Sequence, residues 1–358
     1  MRLDASVIPA LARGCALYGG GGGGEPGAGR LMALAALDAG FRTSLVRIDE
    51  LPGDGLILPV AMIGAPTVGV EKLPRGDEGL RLRDKVSQLL GREVVAFVAA
   101  ELGGINGVVP VAWAARAGLP LVDADLIGRA FPGLQYTVPA LRGHDPNPIV
   151  MVDERGNVAT IDAVSSDWAN RYAAATMVAA GALMGLSLYP MTVAQAAELT
   201  VPGSMSRAIR AGRQLMDHRD DPIRALAEGV GGRSLFEGKV VDVDRRTDGG
   251  YTKGSALIEG LAAFEGQTLR LEFQNENLVA MIDGVVIASV SDIITVLDLH
   301  SAWPIVTEAL RYGQRVGVIG IPCEDVWRTE AGIDLAGPRA FGYDVDYIKV
   351  EDSHAAAH

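Results

Sequence analysis

Helix-forming segments alternate with short apolar segments throughout the first half of the chain. Residues 30–40, RLMALAALDAG, consist of strong helix formers and stop at a glycine, and FRTSLVRI follows as a predicted strand. Two further helix and strand pairs follow, namely DEGLRLRDKVSQLLG with EVVAFVAAE and VPVAWAARAG with LPLVDAD. This alternation predicts a layered α/β domain with a mainly parallel sheet, which we place at residues 1–165.

The second half of the chain has a different pattern. Residues 167–229 are helix-forming segments punctuated by proline and glycine, and the small apolar run 173–190 predicts a tightly packed core helix. Later segments are β-rich and separated by turn residues, including the hairpin signal Asp283-Gly284. We therefore expect residues 166–358 to form a helical segment followed by a β sandwich or barrel with added helices.

Composition and charge limit the classes of partner. The 358 residues are 49% hydrophobic and 21% charged, which is enough apolar material for two packed domains. The formal net charge of −12 repels nucleic acid and anionic membranes. The short apolar N-terminal run lacks the basic lead of a secretion signal, and no segment has membrane-spanning length. We expect a cytoplasmic protein with two reduced cysteines, and a homo-oligomer is among the assemblies that this composition allows.

A tract of six glycines follows the first apolar run, in LYGGGGGGEPGAGR at residues 17–30. Without Cβ atoms, the amides of Gly21, Gly22 and Gly23 can point into one concavity ahead of a helix start, which favours an anion. The tract lacks the lysine-serine ending of a P-loop, and Glu25 would repel phosphate, so no nucleotide cofactor is expected. A carboxylate or a polarised heterocycle fits better, and the alternative is a tight or flexible connection.

Charged residues next to turn segments supply further candidates. In GAPTVGVEKLPRG, residues 64–76, Glu71 and Lys72 are neighbours on an extended segment, so at most one of them faces a given pocket. A solvated surface pair is the alternative. In the β-rich half, Asn275 and Glu276 interrupt an apolar run, which indicates a bulge or an edge that faces the other domain. A solvated hairpin end is the alternative for this second pair.

Two predicted strands of the first domain end in acidic residues. Glu101 closes a buried strand and is followed by a glycine-rich turn with Asn106. Asp123 and Asp125 lie two residues apart at the end of the next strand, so they face the same side, and Arg129 follows. Because the carboxyl ends of parallel strands line the ligand crevice, all of these are pocket candidates. The two aspartates can share a proton, bind a cation or pair with the arginine.

His300 and Cys323 each follow a β-like run and could together supply soft ligands to zinc. Their spacing matches no recognised zinc pattern, so unliganded side chains are the alternative.

Several motifs taken together resemble the S-methyl-thiohydantoin desulfurase family, over about residues 12–347. They are the glycine tract with Gly29-Arg30, GAPTV followed by EK, ELGGINGVVP, VDADLIGRAFP, FQNENLVA and GPRAFGYD. The resemblance implies desulfuration of a thiohydantoin ring, in which water replaces sulfur at the carbon between the two ring nitrogens. A related substrate is 3-(5-oxo-2-thioxoimidazolidin-4-yl)propionate of ergothioneine breakdown. His300 and Cys323 depart from the family pattern, which favours a subgroup that uses zinc or another divalent metal to hold sulfur.

The chemistry of such a reaction assigns provisional roles. A thiocarbonyl carbon between nitrogens is a poor electrophile, so water needs a base and the sulfur needs charge stabilisation. Glu101, Asp123 or Asp125 could act as the base, and Asn106 with the glycine amides could orient the ring. A substrate carboxylate could be held by one of three cations, Arg30, Lys72 or Arg129. The rival functions are a hydantoin or oxoproline ring amidohydrolase and a non-catalytic subunit of a hydantoinase complex.

Overall fold

The structure is a computed structural model that describes residues 1–64, 68, 72, 74–217, 221–248 and 251–353. Its helices are α1 (Ile8–Tyr18), α2 (Gly27–Asp38), α3 (Glu78–Leu90), α4 (Val109–Ala117), α5 (Val138–Leu141), α6 (Ser166–Ala179), α7 (Val193–Leu199), α8 (Ser204–Met216), α9 (Pro222–Gly229) and α10 (Glu330–Ala336). Its strands fall into two groups, one for each sheet.

The first sheet is mixed and, in the described residues, has ten strands. They are β1 (Arg2–Leu3), β2 (Thr43–Val46), β3 (Leu56–Gly64), β4 (Val94–Ala99), β5 (Leu121–Asp125), β6 (Ile149–Val152), β7 (Val158–Ile161), β8 (Leu183–Ser187), β9 (Met191–Thr192) and β10 (Val201–Pro202). The order is β1-β2-β5-β4-β3-β8-β6-β7, with β10 beside β5 and β9 beside β3. The four strands β2, β5, β4 and β3 run parallel, and all other pairings are antiparallel.

The predicted α/β class is confirmed, and its parallel part is limited to the centre of the sheet. Strand β4, with the sequence VVAFVA, is almost wholly buried, as expected for a strand covered on both faces. The segment 173–190 is not one helix, which corrects the sequence prediction. Helix α6 ends at Ala179, Gly181 and Ala182 have positive φ, and the apolar residues that follow become β8, antiparallel to β3. The first sheet therefore extends past residue 165.

The second sheet is entirely antiparallel. Its eight described strands are β11 (Arg233–Asp248), β12 (Tyr251–Gly260), β13 (Thr268–Gln274), β14 (Glu276–Ile282), β15 (Val285–Ser289), β16 (Ile293–Asp298), β17 (Pro304–Ile305) and β18 (Arg315–Ile321), in the order β15-β14-β13-β12-β11-β18-β16-β17. Asp283 and Gly284, both at positive φ, form the predicted hairpin turn between β14 and β15. Asn277 Nδ2 donates to Ile294 O at 3.0 Å, so β14 also contacts β16 and the sheet curls back on itself.

Helix α1 brings the two sheets together. It packs against α8 so closely that a Cβ on Gly14 would lie 1.8 Å from Ala208 O, and one on Gly212 would lie 1.7 Å from Ala10 O. At its C-terminal end, Leu17 O accepts a hydrogen bond from Thr295 Oγ1 of β16 at 2.7 Å. The glycine tract therefore starts at the junction of the two sheets. Across the part of the chain that the structure describes, every helix is too short or too polar to cross a bilayer.

Candidate functional site

A cavity of about 790 Å³ opens between the two sheets. One wall consists of the carboxyl ends of β3 and β4, where parallel α/β sheets bind ligands. The other walls come from one face of α2, one face of α6, strand β8, the glycine tract, the segment 127–137 that follows β5, and the turn between β13 and β14. The residues contributed by α6, Asn170, Ala174 and Met177, have the spacing of a single helix face. Such a volume is in the usual range for small-molecule sites.

The glycine tract is a tight turn that is bonded to both sheets. The carbonyl of Gly20 accepts from Asn277 N at 2.8 Å, and that of Gly21 accepts from Thr307 N at 2.9 Å, both in the second sheet region. The carbonyl of Gly23 accepts from Ile105 N at 3.0 Å, in the first. Because these contacts fix the tract, it is not a flexible connection.

Close approaches explain why the tract has no side chains. A Cβ on Gly22 would lie 1.9 Å from Glu276 Oε1, and one on Gly23 would lie 2.5 Å from the carbonyl carbon of Gly103. Gly23 also has φ of +72°, where a side chain is strained. Of the three predicted binding glycines, Gly23 lines the cavity, whereas Gly21 and Gly22 lie behind it against the second sheet.

Glu101 and Asn106 are held together on the wall formed by the first sheet. Asn106 Nδ2 donates to Glu101 Oε1 at 2.6 Å, and Asn106 Oδ1 accepts from Met62 N at 2.7 Å. These two bonds fix the orientation of the amide and aim the carboxyl group. Burial raises the pKa of Glu101 to about 7, although the hydrogen bond from Asn106 acts in the opposite direction. Glu101 therefore titrates near neutral pH.

Glu276 supplies a buried carboxyl group from the second sheet, whereas Glu101 is only half-buried. Its side chain is only 2% exposed, and Oε2 has no hydrogen-bond partner among the residues described. Burial, followed by repulsion from Glu101, raises the pKa of Glu276 well above its usual value. The Glu276 carboxyl group therefore tends to retain its proton beside Glu101 at neutral pH.

Asn275 shapes the turn that presents Glu276. It adopts φ of +57° and lines the cavity, while its Oδ1 accepts from Thr252 N at 2.8 Å. Thr307 Oγ1 donates to the Asn275 carbonyl at 2.6 Å. These bonds anchor the Asn275 side chain to β12 and fix the turn that precedes Glu276.

Arg129 is the buried cation behind the carboxylate pair. Its Nη1 donates to the carbonyls of Ser291 and Asp292 at 2.6 and 2.8 Å, and its Nε donates to Ala130 O at 2.9 Å. Burial lowers the pKa of Arg129, and the nearby Glu276 is the main opposing influence. The guanidinium also stacks over Phe131, which lines the cavity, but Arg129 itself does not. It balances charge beneath the site and is not placed to hold a substrate carboxylate.

The two aspartates at the end of β5 point away from the cavity. Asp123 accepts from Ser206 N and Oγ at 2.8 and 2.5 Å and so caps the first turn of α8. Asp125 Oδ2 accepts from the amides of Ile127 and Gly128 at 3.0 and 2.7 Å. Burial raises the pKa of Asp125 to about 6. Neither residue lines the cavity, so their arrangement corrects the prediction that they serve as its base.

The remaining predicted cations also lie outside the lining. Lys72 Nζ is 2.7 Å from Glu154 Oε2 and donates to Ala180 O at 2.8 Å, which ties it to the end of α6. Arg30 is on α2 and does not contribute to the cavity wall. Glu71 lies outside the described residues.

His300 and Cys323 cannot share a metal ion. Strands β16 and β18 are antiparallel, with Ile293 opposite Ile321 and Asp298 opposite Val316. His300 follows the far end of β16, and Cys323 follows the other end of β18, so about 17 Å of paired strand separates them.

Cys323 is itself buried, and burial raises the pKa of its thiol to about 12. Within the described ranges, no group of three or more His, Cys, Asp or Glu side chains is placed to hold a metal. The fold therefore does not bring the predicted pair together, and metal binding by the protein stays a prediction.

Sequence reasoning missed three polar residues of the cavity wall, Thr137, Asn170 and Glu308. Glu308 follows the short strand β17, and burial raises its pKa. Asn170 Oδ1 accepts from Leu134 N at 3.3 Å. Only Glu308 has a signal in the sequence, as a single acidic residue directly after the apolar segment PIVT.

Comparison with known proteins agrees with this architecture. Models of the S-Me-THD-like N-terminal and C-terminal domains match residues 6–163 and 164–350. A crystal structure of a Chromobacterium violaceum protein from a structural genomics consortium has the same fold, with TM-score 0.81 and 24% identity over 98% of this chain and 100% of that one. No curated protein matched the sequence. Because the two domain models together span nearly all of it, the chain belongs to the S-Me-THD-like family, that of the S-methyl-thiohydantoin desulfurases.

Proposed function

We propose that the protein hydrolyses the carbon-sulfur bond of a thiohydantoin, releasing hydrogen sulfide and the corresponding hydantoin. The observation that carries this proposal is that a half-buried carboxyl group, Glu101, and a buried one, Glu276, lie on facing walls of one cavity, both with raised pKa values. The reaction needs a base for water and an acid for the sulfur, and two carboxyl groups with unequal pKa values provide both. Family membership supports thiohydantoin chemistry in general.

Proton transfers between the two carboxyl groups balance the reaction. The Glu101 carboxylate accepts a proton from water as the water oxygen bonds to the thiocarbonyl carbon and the carbon-sulfur π electrons move to sulfur. Glu276, protonated, donates its proton to that sulfur. The carbon-sulfur bond then breaks as the new hydroxyl group returns a proton to Glu276 and becomes the hydantoin carbonyl. The departing hydrosulfide takes the proton from Glu101 and leaves as hydrogen sulfide.

Fixed groups near the pair can orient the ring. Asn106 is locked by Met62 N and Glu101, so the carboxyl group keeps a single direction. Gly23 and Gly24 line the cavity, and their backbone N–H groups donate no hydrogen bond to any described residue. These amides are suited to donate to a ring oxygen or to stabilise the charge that develops on sulfur.

The test is sulfide release from purified protein. Unsubstituted 2-thiohydantoin and 3-(5-oxo-2-thioxoimidazolidin-4-yl)propionate are incubated with enzyme, with and without added Zn²⁺, and sulfide and hydantoin are quantified together. Equal amounts of the two products support the proposal. Ring opening without sulfide would instead identify an amidohydrolase, and absence of any turnover under both conditions would favour a non-catalytic subunit.

A further inference from the structure

The ionisable side chains on the cavity wall are all acidic among the residues that the structure describes. Glu25, Glu101, Glu276 and Glu308 contribute carboxyl groups, and the described lining contains no lysine, arginine or histidine. Burial raises the pKa values of Glu101 and Glu276, and Glu101 also repels charge on Glu276, so negative charge is already disfavoured here. A second, substrate-borne carboxylate would meet no countercharge in a mostly apolar space, which is unfavourable.

Three cations of the surrounding elements are already bonded to other parts of the fold. Lys72 is paired with Glu154, and Arg129 donates to three backbone carbonyls behind the site. Arg245 donates to the carbonyls of Glu308 and Leu310 at 2.9 and 2.6 Å. Using Lys72 or Arg245 for a substrate carboxylate would break these bonds. Arg129 keeps its Nη2 without a partner among the described residues, but it does not line the cavity.

Most of the remaining wall is apolar. Its side chains come from α2, β3, α6 and β8, and they include Leu31, Met32, Ile63, Met177, Leu183 and Leu186. At about 790 Å³ the cavity holds the volume of roughly two dozen waters, more than a five-membered ring needs. The space beyond the ring is therefore bounded mainly by hydrocarbon.

We infer that the ring substituent of the substrate is an apolar side chain, aliphatic or aromatic, and not a carboxylate-bearing chain. This inference rests on the proposed function for the identity of the ring. A substituent such as benzyl would bury its surface against Leu31, Met177 and Leu183, whereas a propionate would lose its hydration without gaining a cation.

Binding can be measured without turnover by using the product rings. Isothermal titration calorimetry with 5-benzylhydantoin and hydantoin-5-propionate should show at least about tenfold tighter binding of the benzyl compound. Equal or tighter binding of the propionate would overturn the inference, as would failure of both to bind. Sulfide release from the matching thiohydantoins is measured in parallel. The expected binding order without sulfide from either compound would reject desulfuration while leaving the apolar site supported.

A pair of variants at one position locates the substituent. Leu31 lines the cavity but is 62% exposed, so polar replacements are compatible with folding. Leu31→Arg adds the missing cation and should tighten binding of hydantoin-5-propionate at least about fivefold, while Leu31→Gln, a polar control without charge, should not. Unchanged propionate binding in the arginine variant would contradict the placement of the substituent along this wall.

Discussion

Replacing Glu101 by glutamine tests the central carboxyl group through both activity and stability. Glutamine keeps the size of the side chain and can still contact Asn106, but it cannot accept a proton from water. We expect sulfide release to fall by at least about 100-fold, the usual contribution of a general base. In the unsubstituted enzyme, kcat/KM should rise as pH increases through about 7, because the carboxylate is the active form.

The stability effect follows from the pKa of Glu101 and has a definite sign. The pKa is about 7 in the folded protein and 4.5 for an unperturbed glutamate, as in the unfolded chain, so the folded protein binds more protons between these values. The stability of the unsubstituted protein therefore falls as pH rises from about 4.5 through about 7. At 1.36 kcal/mol for each pH unit, the loss is about 3 kcal/mol by pH 8. Glutamine does not titrate, so the Glu101→Gln variant is spared this loss.

The assay is denaturant unfolding of both proteins at several pH values between 5 and 8. The free energy of unfolding of the variant, relative to the unsubstituted protein, should increase steadily across this range. Glu265→Gln is the matched control, because Glu265 is exposed and its replacement should change stability by no more than about 0.5 kcal/mol. Two results together would refute this reasoning: a difference in the free energy of unfolding between variant and parent that stays constant from pH 5 to 8, and a kcat/KM of the parent that does not change with pH.

Three further substitutions test the surroundings of the site. Gly22→Ala places a Cβ 1.9 Å from Glu276 Oε1, so it should abolish turnover and lower stability by about 1–3 kcal/mol in thermal unfolding, whereas Gly53→Ala, where a Cβ meets nothing within 4 Å, should do neither. Asp123→Ala should cost about 1–3 kcal/mol by uncapping α8 yet retain turnover by the folded enzyme, and a folded but inactive variant would restore it as a base candidate. His300→Ala should leave sulfide release unchanged, because His300 and Cys323 follow opposite ends of the β16–β18 pair, and a folded but inactive variant would restore His300 as a site residue.

The sequence predicts the fold class because helix-forming and apolar segments have clear local signals. Strand β3 is the main omission, although it lies at the centre of the first sheet and forms part of the cavity wall. The strand contains Pro59, which has no backbone N–H to donate to a neighbouring strand, and this ordinarily argues against a central strand. Strand β8 is hidden in an Ala- and Gly-rich run whose composition also suits a helix. In both cases the pairing partners, which are remote in sequence, decide the outcome.

The sequence predicts those residues of the candidate site that stand at the ends of predicted strands. Glu101 and Asn106 follow from the rule that ligands bind at carboxyl ends of parallel strands, and Glu276 follows from its polar interruption of an apolar strand. Their pairing does not follow, because it depends on how the second sheet docks against the first. Asp123 and Asp125 also stand at the end of a parallel strand, but Asp123 bonds to α8 and Asp125 bonds to the loop that follows it. The sequence misses this because alternation along a strand does not tell which face of the sheet lines the cavity.

The bonding of the glycine tract has a consequence for exchanging domains between related proteins. Its carbonyl groups accept hydrogen bonds from the backbone N–H groups of Asn277 and Thr307 on one side and of Ile105 on the other. A chimera that joins the first half of this chain to the second half of a distant relative would inherit the loop without its complementary surface. Transplanting the segments around residues 275–277 and 306–308 along with the loop should restore assembly. Recombination boundaries are therefore better chosen from these contacts than from the domain boundary between residues 163 and 164.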